Sequence, residues 1–259
     1  MMGLNEIRLL IVDIDGVICC NNTAAPGASE AITRLREHGL VIKFLTNDAI
    51  SSRYSRSQEL NALGFDIHPS DIYTAASLTA DYLRHMSNPR TMMLVEGEAI
   101  EEFHGIPIVE HDPQVVVVAD FFGSYSFDKL NRAFLSIRAG AHFIAMQRNQ
   151  YCSAGGLPTI DVGFWVAGLE YCTGITAEVI GKPSVKSYLS ICRDVAIKAE
   201  QAAMLSDDLS SDLLGAHKAG LITIHLTDYS VPSSTSTFNS PDAVVSNLSE
   251  FIKLVEAWS

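Results

Sequence analysis

Four times in this chain a helix-like stretch ends at a glycine and passes at once into apolar residues. The units are Leu35-Arg36-Glu37-His38-Gly39-Leu40-Val41-Ile42-Lys43-Phe44-Leu45, the shorter Leu63-Gly64-Phe65-Asp66-Ile67, Arg138-Ala139-Gly140-Ala141-His142-Phe143-Ile144-Ala145 and Lys218-Ala219-Gly220-Leu221-Ile222-Thr223-Ile224. Glycine closes a helix in the left-handed conformation, which costs a residue with a side chain more. Apolar strands that alternate with helices predict a parallel sheet covered on both faces, and so an α/β protein.

The elements fall into two series. The first has a strand at 9–13, a helix near 28–37, a strand at 41–46, and helices near 52–63 and 76–85. The second has strands at 92–95, 115–119 and 143–146, with helices near 127–138 and 162–172. The first then resumes with a helix at 185–195, a strand at 202–205, a helix at 209–219 and a strand at 221–226. A Ser- and Pro-rich stretch at 231–241 reads as a loop, and a last helix covers about 248–258. Trp165, Tyr171 and Phe164 fall on one predicted helix and are expected to pack on the core.

Composition narrows the partners. The 259 residues carry 18 Lys and Arg against 30 Asp and Glu, a net charge of −12. Such a surface repels nucleic-acid backbones and anionic membranes, so neither is an expected partner. An anionic metabolite then needs a local cation, a metal or a buried lysine. The apolar run near the N-terminus is short and broken by acids, unlike a secretion signal. The five cysteines, Cys19, Cys20, Cys152, Cys172 and Cys192, show no metal spacing and read as reduced thiols of a cytoplasmic protein. Cys19 and Cys20 read as packing residues.

Leu9-Leu10-Ile11-Val12 runs straight into Asp13-Ile14-Asp15-Gly16-Val17. On an extended chain Asp13 and Asp15 lean to the same side. Two carboxylates so placed repel unless a cation lies between them or one holds a proton. At about 4 Å and an effective dielectric of 20 the repulsion is about 4 kcal/mol. This pair points to phosphate chemistry with a divalent metal. Three further segments sit at strand ends or helix starts, where open α/β sheets bind ligands. They are Phe44-Leu45-Thr46-Asn47, Gly181-Lys182-Pro183-Ser184, and Met204-Leu205-Ser206-Asp207-Asp208-Leu209-Ser210-Ser211-Asp212. Taken alone, Thr46-Asn47 also reads as a helix cap, Lys182 as a surface lysine, and Asp207-Asp208 as an acidic helix start favoured by the dipole.

In this order the four segments resemble the haloacid dehalogenase superfamily, along the whole chain. Val95-Glu96-Gly97-Glu98 and Gly168-Leu169-Glu170-Tyr171-Cys172-Thr173-Gly174 are similar to the NagD and p-nitrophenyl phosphatase subclass. Gln150-Tyr151 with Gly156-Leu157 resembles the phospholysine phosphohistidine inorganic pyrophosphate phosphatases and their relatives. The resemblance implies a doubly wound, mostly parallel Rossmann-like core, 1–79 with 179–259, and an inserted α/β cap at 80–178 that selects the substrate.

It also implies roles. Asp13 matches the nucleophile that forms an aspartyl phosphate, and Asp15 the acid/base. Near neutrality that acid needs a pKa above the free value of about 3.9, and an anionic substrate pushes that way. Thr46, Asn47 and Lys182 match phosphate-binding groups. Asp13, Asp207 and the backbone carbonyl of Asp15 match the Mg²⁺ ligands. Asp212 and, with less support, Asp208 match an outer layer of acids. In the cap, Met146-Gln147-Arg148-Asn149 replaces the usual Ala-Thr-Asn type of loop, where Arg148 faces either an anionic substrate or a surface partner. Ser206 stands where glycine is usual.

The expected function is therefore a Mg²⁺-dependent phosphatase acting on a small phosphorylated metabolite, with two copies pairing through the cap as in many relatives. Sugar phosphates, nucleotides, glycolate- or glycerol-type phosphates, pyridoxal phosphate, pyrophosphate and phospho-amino acids all remain open as substrates. A true dehalogenase lacks the acid at position 15, a phosphoryl-transfer pump has Thr there, and a receiver domain has no cap. A metabolite sensor on the same fold is the remaining alternative, although it has no need of Asp15.

Overall fold

The computed structural model describes residues 6–20, 23–154, 157–228, 238 and 240–257. The chain divides into two compact units. One comprises Met1–Thr46, Arg56–Tyr73 and Lys182–Ser259; the other comprises Asn47–Ser55 and Thr74–Gly181.

The first unit is built on a six-stranded sheet in the order Ala243–Val245, Ile222–Leu226, Ala202–Ser206, Leu9–Asp13, Val41–Thr46, Ile72–Thr74. From Ala243–Val245 to Val41–Thr46 each pairing is parallel. Leu9–Asp13 and Ala202–Ser206 are buried along their whole length, as strands covered on both faces must be. Helix Ala28–Glu37 places Ala28, Ala31, Ile32 and Leu35 on one buried face. Helix Leu248–Glu256 buries Leu248, Phe251, Ile252 and Val255. Both stripes have the 3.6-residue period of a helix against a sheet. The chain runs outward from Leu9–Asp13 to one edge, then returns to the other side of the same strand. That reversal is a topological switch point, and in open α/β sheets ligands bind at such a point, here the carboxyl ends of Leu9–Asp13, Val41–Thr46 and Ala202–Ser206.

The second unit carries a four-stranded parallel sheet in the order Glu178–Val179, His142–Ala145, Val115–Val118, Thr91–Leu94. Helices Phe127–Arg138 and Gly163–Thr173 contribute Ala133, Ile137, Trp165, Val166 and Leu169 to its core, beside Val116, Val118 and Phe143. Trp165 packs against Phe121 at 4.5 Å between ring centroids. Phe164 and Tyr171 are exposed rather than packed, Tyr171 by 91 %. They lie on the helix face opposite Val166 and Leu169, so their apolar character did not report burial.

Other departures have local causes. No strand forms at 65–67. The backbone of Ile67 is held by side chains instead: its N–H donates to Asn61 Oδ1 at 2.8 Å, and its carbonyl accepts from Ser57 Oγ at 2.7 Å. The helix expected at 209–219 is two pieces, a wide turn Leu209–Leu213 and an α-helix Leu214–Lys218. The Leu213 N–H reaches back five residues to the Asp208 carbonyl, the mark of a π turn, which occurs often at functional sites. Hairpins Cys19–Cys20 with Thr23–Ala24 and Tyr151–Ala154 with Leu157–Ile160 had not been anticipated. Most of the 231–241 loop, Gly156 and Trp258 lie outside the described residues. All five cysteines are free, with Cys19 buried and Cys20 half-buried. Among the described residues no helix is long and apolar enough to cross a membrane.

Candidate active site

Strand register brings the acids of the first unit together. Val12 is level with Leu205, and Asp13 with Leu45. Asp13 and Ser206 therefore end adjacent strands, and Thr46 ends the next one. Asp13 is buried, 7 % exposed, and accepts from Lys182 Nζ at 2.6 Å. The same Nζ donates to Asp212 Oδ2 at 2.6 Å. Asp212 also accepts from Ser206 Oγ at 2.8 Å, and its carbonyl takes the Tyr188 hydroxyl at 2.9 Å. The π turn points Asp212 inward to Lys182, whereas Asp208 is spent on the turn itself. The Asp208 side chain caps the turn by accepting from the N–H groups of Ser210 and Ser211 at 2.8 and 3.0 Å. Pro183 precedes the N-cap Ser184 of helix Val185–Asp194 and leaves Lys182 just ahead of it.

Burial pushes the Asp13 carboxyl well up, against the pull of the Lys182 ammonium. Burial raises Asp212 as well, again opposed by Lys182. For Lys182, burial favours the neutral amine, but Asp13 and Asp212 outweigh it and raise the pKa, so the ammonium persists. Asp207 is pushed up to about 7 by burial and by Asp212, against the weaker pull of a backbone hydrogen bond and of Lys182. Two carboxylates thus share one ammonium, with Asp207 within reach of its charge, so acids outnumber bases in a desolvated pocket.

Gly16 shows how closely Asp207 approaches the acid loop. Its φ is +89°, and a Cβ there would lie 2.5 Å from Asp207 Oδ2. Only glycine leaves room for that carboxylate, and the left-handed backbone favours it too. Among the described residues no three His, Cys, Asp or Glu side chains form a metal-holding group by themselves. The expected donors, Asp13, Asp207 and the Asp15 carbonyl, include only two carboxylates; the local excess of acids over the single Lys182 ammonium and their hard oxygens suit a small divalent cation that keeps several waters.

Asp15 is exposed over 63 % of its side chain and pairs with Arg56 Nη2 at 2.6 Å. Thr46, buried, lies 3.4 Å from its other oxygen. Sequence reading missed Arg56; the available signal was its place four residues before Leu60 on the buried face of helix Arg53–Ala62. It also missed Tyr188 and the hydrogen bonds of Ser206. Asn47 belongs to the second unit, where its amide lies 3.4 Å from Asn149 Oδ1. There Arg148 is paired with Glu170, and the Asn149 N–H is held by Gln147. Gln147, also absent from the expected set, is buried and donates to Asp161 Oδ1 at 2.9 Å.

Known proteins bear on this arrangement. Residues 10–106 match the model of the haloacid dehalogenase-like hydrolases, and residues 179–251 match a second model of HAD-like hydrolases. The rat haloacid dehalogenase-like hydrolase domain-containing protein 2 is 32 % identical over 86 % of this chain and 85 % of its own. The mouse phospholysine phosphohistidine inorganic pyrophosphate phosphatase is 30 % identical over 97 % of this chain and 95 % of its own. Among solved structures, a 4-nitrophenylphosphatase of Thermotoga maritima superposes with a TM-score of 0.89 at 26 % identity, covering 97 % of this chain and 98 % of its own. NagD of E. coli K-12 superposes at 0.86 and 29 %, covering 94 % and 98 %. The chain belongs to the haloacid dehalogenase-like hydrolases, and within them to the NagD-like members.

Proposed function

We propose that this hydrolase is a Mg²⁺-dependent phosphatase that removes phosphate from a small metabolite through an aspartyl phosphate on Asp13. The observation that carries the reading is the buried Lys182 ammonium, 2.6 Å from both Asp13 and Asp212 at the carboxyl edge of the sheet. Phosphoryl transfer needs a positioned nucleophile and neutralised charge more than anything else. Lys182 fixes the Asp13 carboxylate and sets a positive charge beside the point where the phosphoryl group arrives. Thr46, at the end of the neighbouring strand, is placed to donate to a phosphoryl oxygen. Asp15 protonates the leaving oxygen, then takes a proton from the attacking water. Asp13, Asp207 and the Asp15 carbonyl would hold Mg²⁺, which supplies positive charge to the nucleophile and the phosphoryl group when bound.

The named activities of the phosphohistidine and 4-nitrophenyl phosphatases support a phosphate ester or phosphoamide as substrate class. Substrate choice is assigned to the second unit and its 146–149 loop, and the free thiols fit a reducing cytoplasm. Turnover of p-nitrophenyl phosphate and a panel of phosphate esters, with and without chelator, tests the reading. Mg²⁺-dependent turnover is expected, with Asp13→Asn at least about 10³-fold slower at an unchanged circular-dichroism spectrum. Chelator-insensitive hydrolysis removes the metal; saturable binding without turnover of any ester favours the sensor.

A further inference from the structure

Arg56 lies beside the acid pair, and no step described above uses it. Its side chain is only 11 % exposed, while the Asp15 carboxylate it holds at 2.6 Å is 63 % exposed. Exposed ion pairs between two mobile side chains contribute little. Here the cation is anchored first. Helix Arg53–Ala62 carries it on the face of Ser57 and Leu60, and Glu59, one turn on, takes its other Nη at 2.9 Å. The guanidinium is thus fixed by its own helix, and the carboxylate comes to it. Thr46 Oγ1 lies 3.4 Å from the second Asp15 oxygen. The charged donor on the first oxygen, at 2.6 Å, sets the position of an otherwise solvated carboxyl group and leaves the Thr46 hydroxyl proton for the phosphoryl group.

We propose that Arg56 is a positioning residue for Asp15, holding the carboxyl group where it serves both halves of the reaction. The inference rests on the phosphatase reading. In the first half an Asp13 oxygen bonds to phosphorus as the bond to the leaving oxygen breaks, and the electron pair left there takes the Asp15 proton. In the second half a water oxygen bonds to phosphorus, its proton passes to Asp15, and the bond from phosphorus to Asp13 breaks. Inorganic phosphate and the free carboxylate result, and nothing is oxidised or reduced. Both proton transfers need Asp15 within hydrogen-bond reach of an oxygen on the phosphorus. An unheld, exposed carboxylate would sample other rotamers.

Leaving-group dependence separates positioning from a merely structural role. p-Nitrophenolate departs without a proton, whereas an alkoxide does not. Arg56→Met should lower kcat for the best alkyl phosphate substrate by roughly 10- to 100-fold, part of what a general acid contributes. For p-nitrophenyl phosphate the loss should be several-fold smaller, and KM for both esters should move little. Arg56→Lys, which keeps the charge without the planar fork, should recover part of the alkyl rate. In an Asp15→Asn background neither Arg56 variant should add a further loss. If Arg56→Met does not fold, Arg56→Lys with the Asp15→Asn cycle carries the test. Equal losses on the two esters, a loss confined to KM, a gain in turnover, or an additive loss in Asp15→Asn would overturn the assignment. A wild-type protein inactive on every ester overturns the phosphatase reading itself, so the two failures are distinct.

Discussion

The two parallel sheets are alike in their buried strands and unlike in how their carboxyl ends hold charge. At the edge of the six-stranded sheet, acid is answered by base: Lys182 for Asp13 and Asp212, Arg56 for Asp15. At the edge of the four-stranded sheet, beside the Arg148–Glu170 pair, two acids are answered by neutral N–H groups alone. Glu96 accepts from the backbone of Gly123 and Ser124, and Asp161 from the Gln147 amide and the Val162 N–H. Amide donors orient a carboxylate without cancelling its charge. A buried ammonium cancels it and can be shared with an incoming anion. The same architecture therefore supports a charge-handling centre in one unit and a shaped, polar edge in the other.

Removing the counter-charge should expose this contrast most strongly. Lys182→Met leaves two buried carboxylates without a cation, which costs about 3–5 kcal/mol when one partner of a buried pair is lost. Activity should disappear with it. Thermal unfolding should show a fall on the order of 10 °C, since each kcal/mol is worth about 2–4 °C in a chain of this size. Adding Asp13→Asn should return part of the stability, because one of the orphaned charges is gone. The matching change in the second unit, Arg148→Ala, breaks a pair whose arginine is 47 % exposed and should cost under about 1 kcal/mol. Comparable losses at the two positions would erase the distinction.

The next effect is linked to pH. Asp207, held at about 7 by burial, keeps its proton in the fold at acidities where the unfolded chain has released it. Its neutral form contributes stability in acid, and that contribution is lost as pH rises through about 7. The metal-free protein should therefore lose several degrees of thermal stability between about pH 5 and pH 8. A bound divalent cation favours the ionised carboxylate, so added Mg²⁺ should stabilise more at pH 8 than at pH 5. Calorimetry with and without chelator reads both; an Mg²⁺ effect that does not vary with pH would separate Asp207 from the metal.

How much of this was legible follows from which interactions are local. Strand Leu9–Asp13 and helix Phe127–Arg138 were readable to the residue because their apolar patterns match their periods. The four motif segments placed Asp13, Thr46, Lys182 and Asp207 at strand ends or helix starts, since order along the chain predicts position in a doubly wound sheet. Arg56 was easy to miss because its helix is mostly polar, and Leu60, four residues on, was the one apolar mark of the buried face. The missing strand at 65–67 was equally hidden, because Ser57 and Asn61 satisfy the Ile67 backbone from another element. Ser206 was noticed only as a departure from glycine; its hydroxyl gained meaning once the π turn carried Asp212 back to it.

The smallest effects should sharpen the comparison further. Ser206→Ala and Gln147→Ala each remove one neutral donor from a buried aspartate. Each should cost about 1–3 kcal/mol, the penalty for leaving a buried acceptor short of a partner. Their kinetic consequences should differ in kind. Ser206 holds Asp212, which holds Lys182 against Asp13, so its loss should lower kcat by a similar factor for every phosphate ester. Gln147 belongs to the second unit. It sets Asp161 and, through its own carbonyl oxygen, the Asn149 N–H, so its loss should change the ranking of substrates and leave the leaving-group-independent rate nearly intact. Steady-state kinetics of both variants on one ester panel decides the matter. A uniform drop from Gln147→Ala, or a reordered panel from Ser206→Ala, would mean that the two sheet edges do not divide the work of reaction and selection as their different ways of holding charge imply.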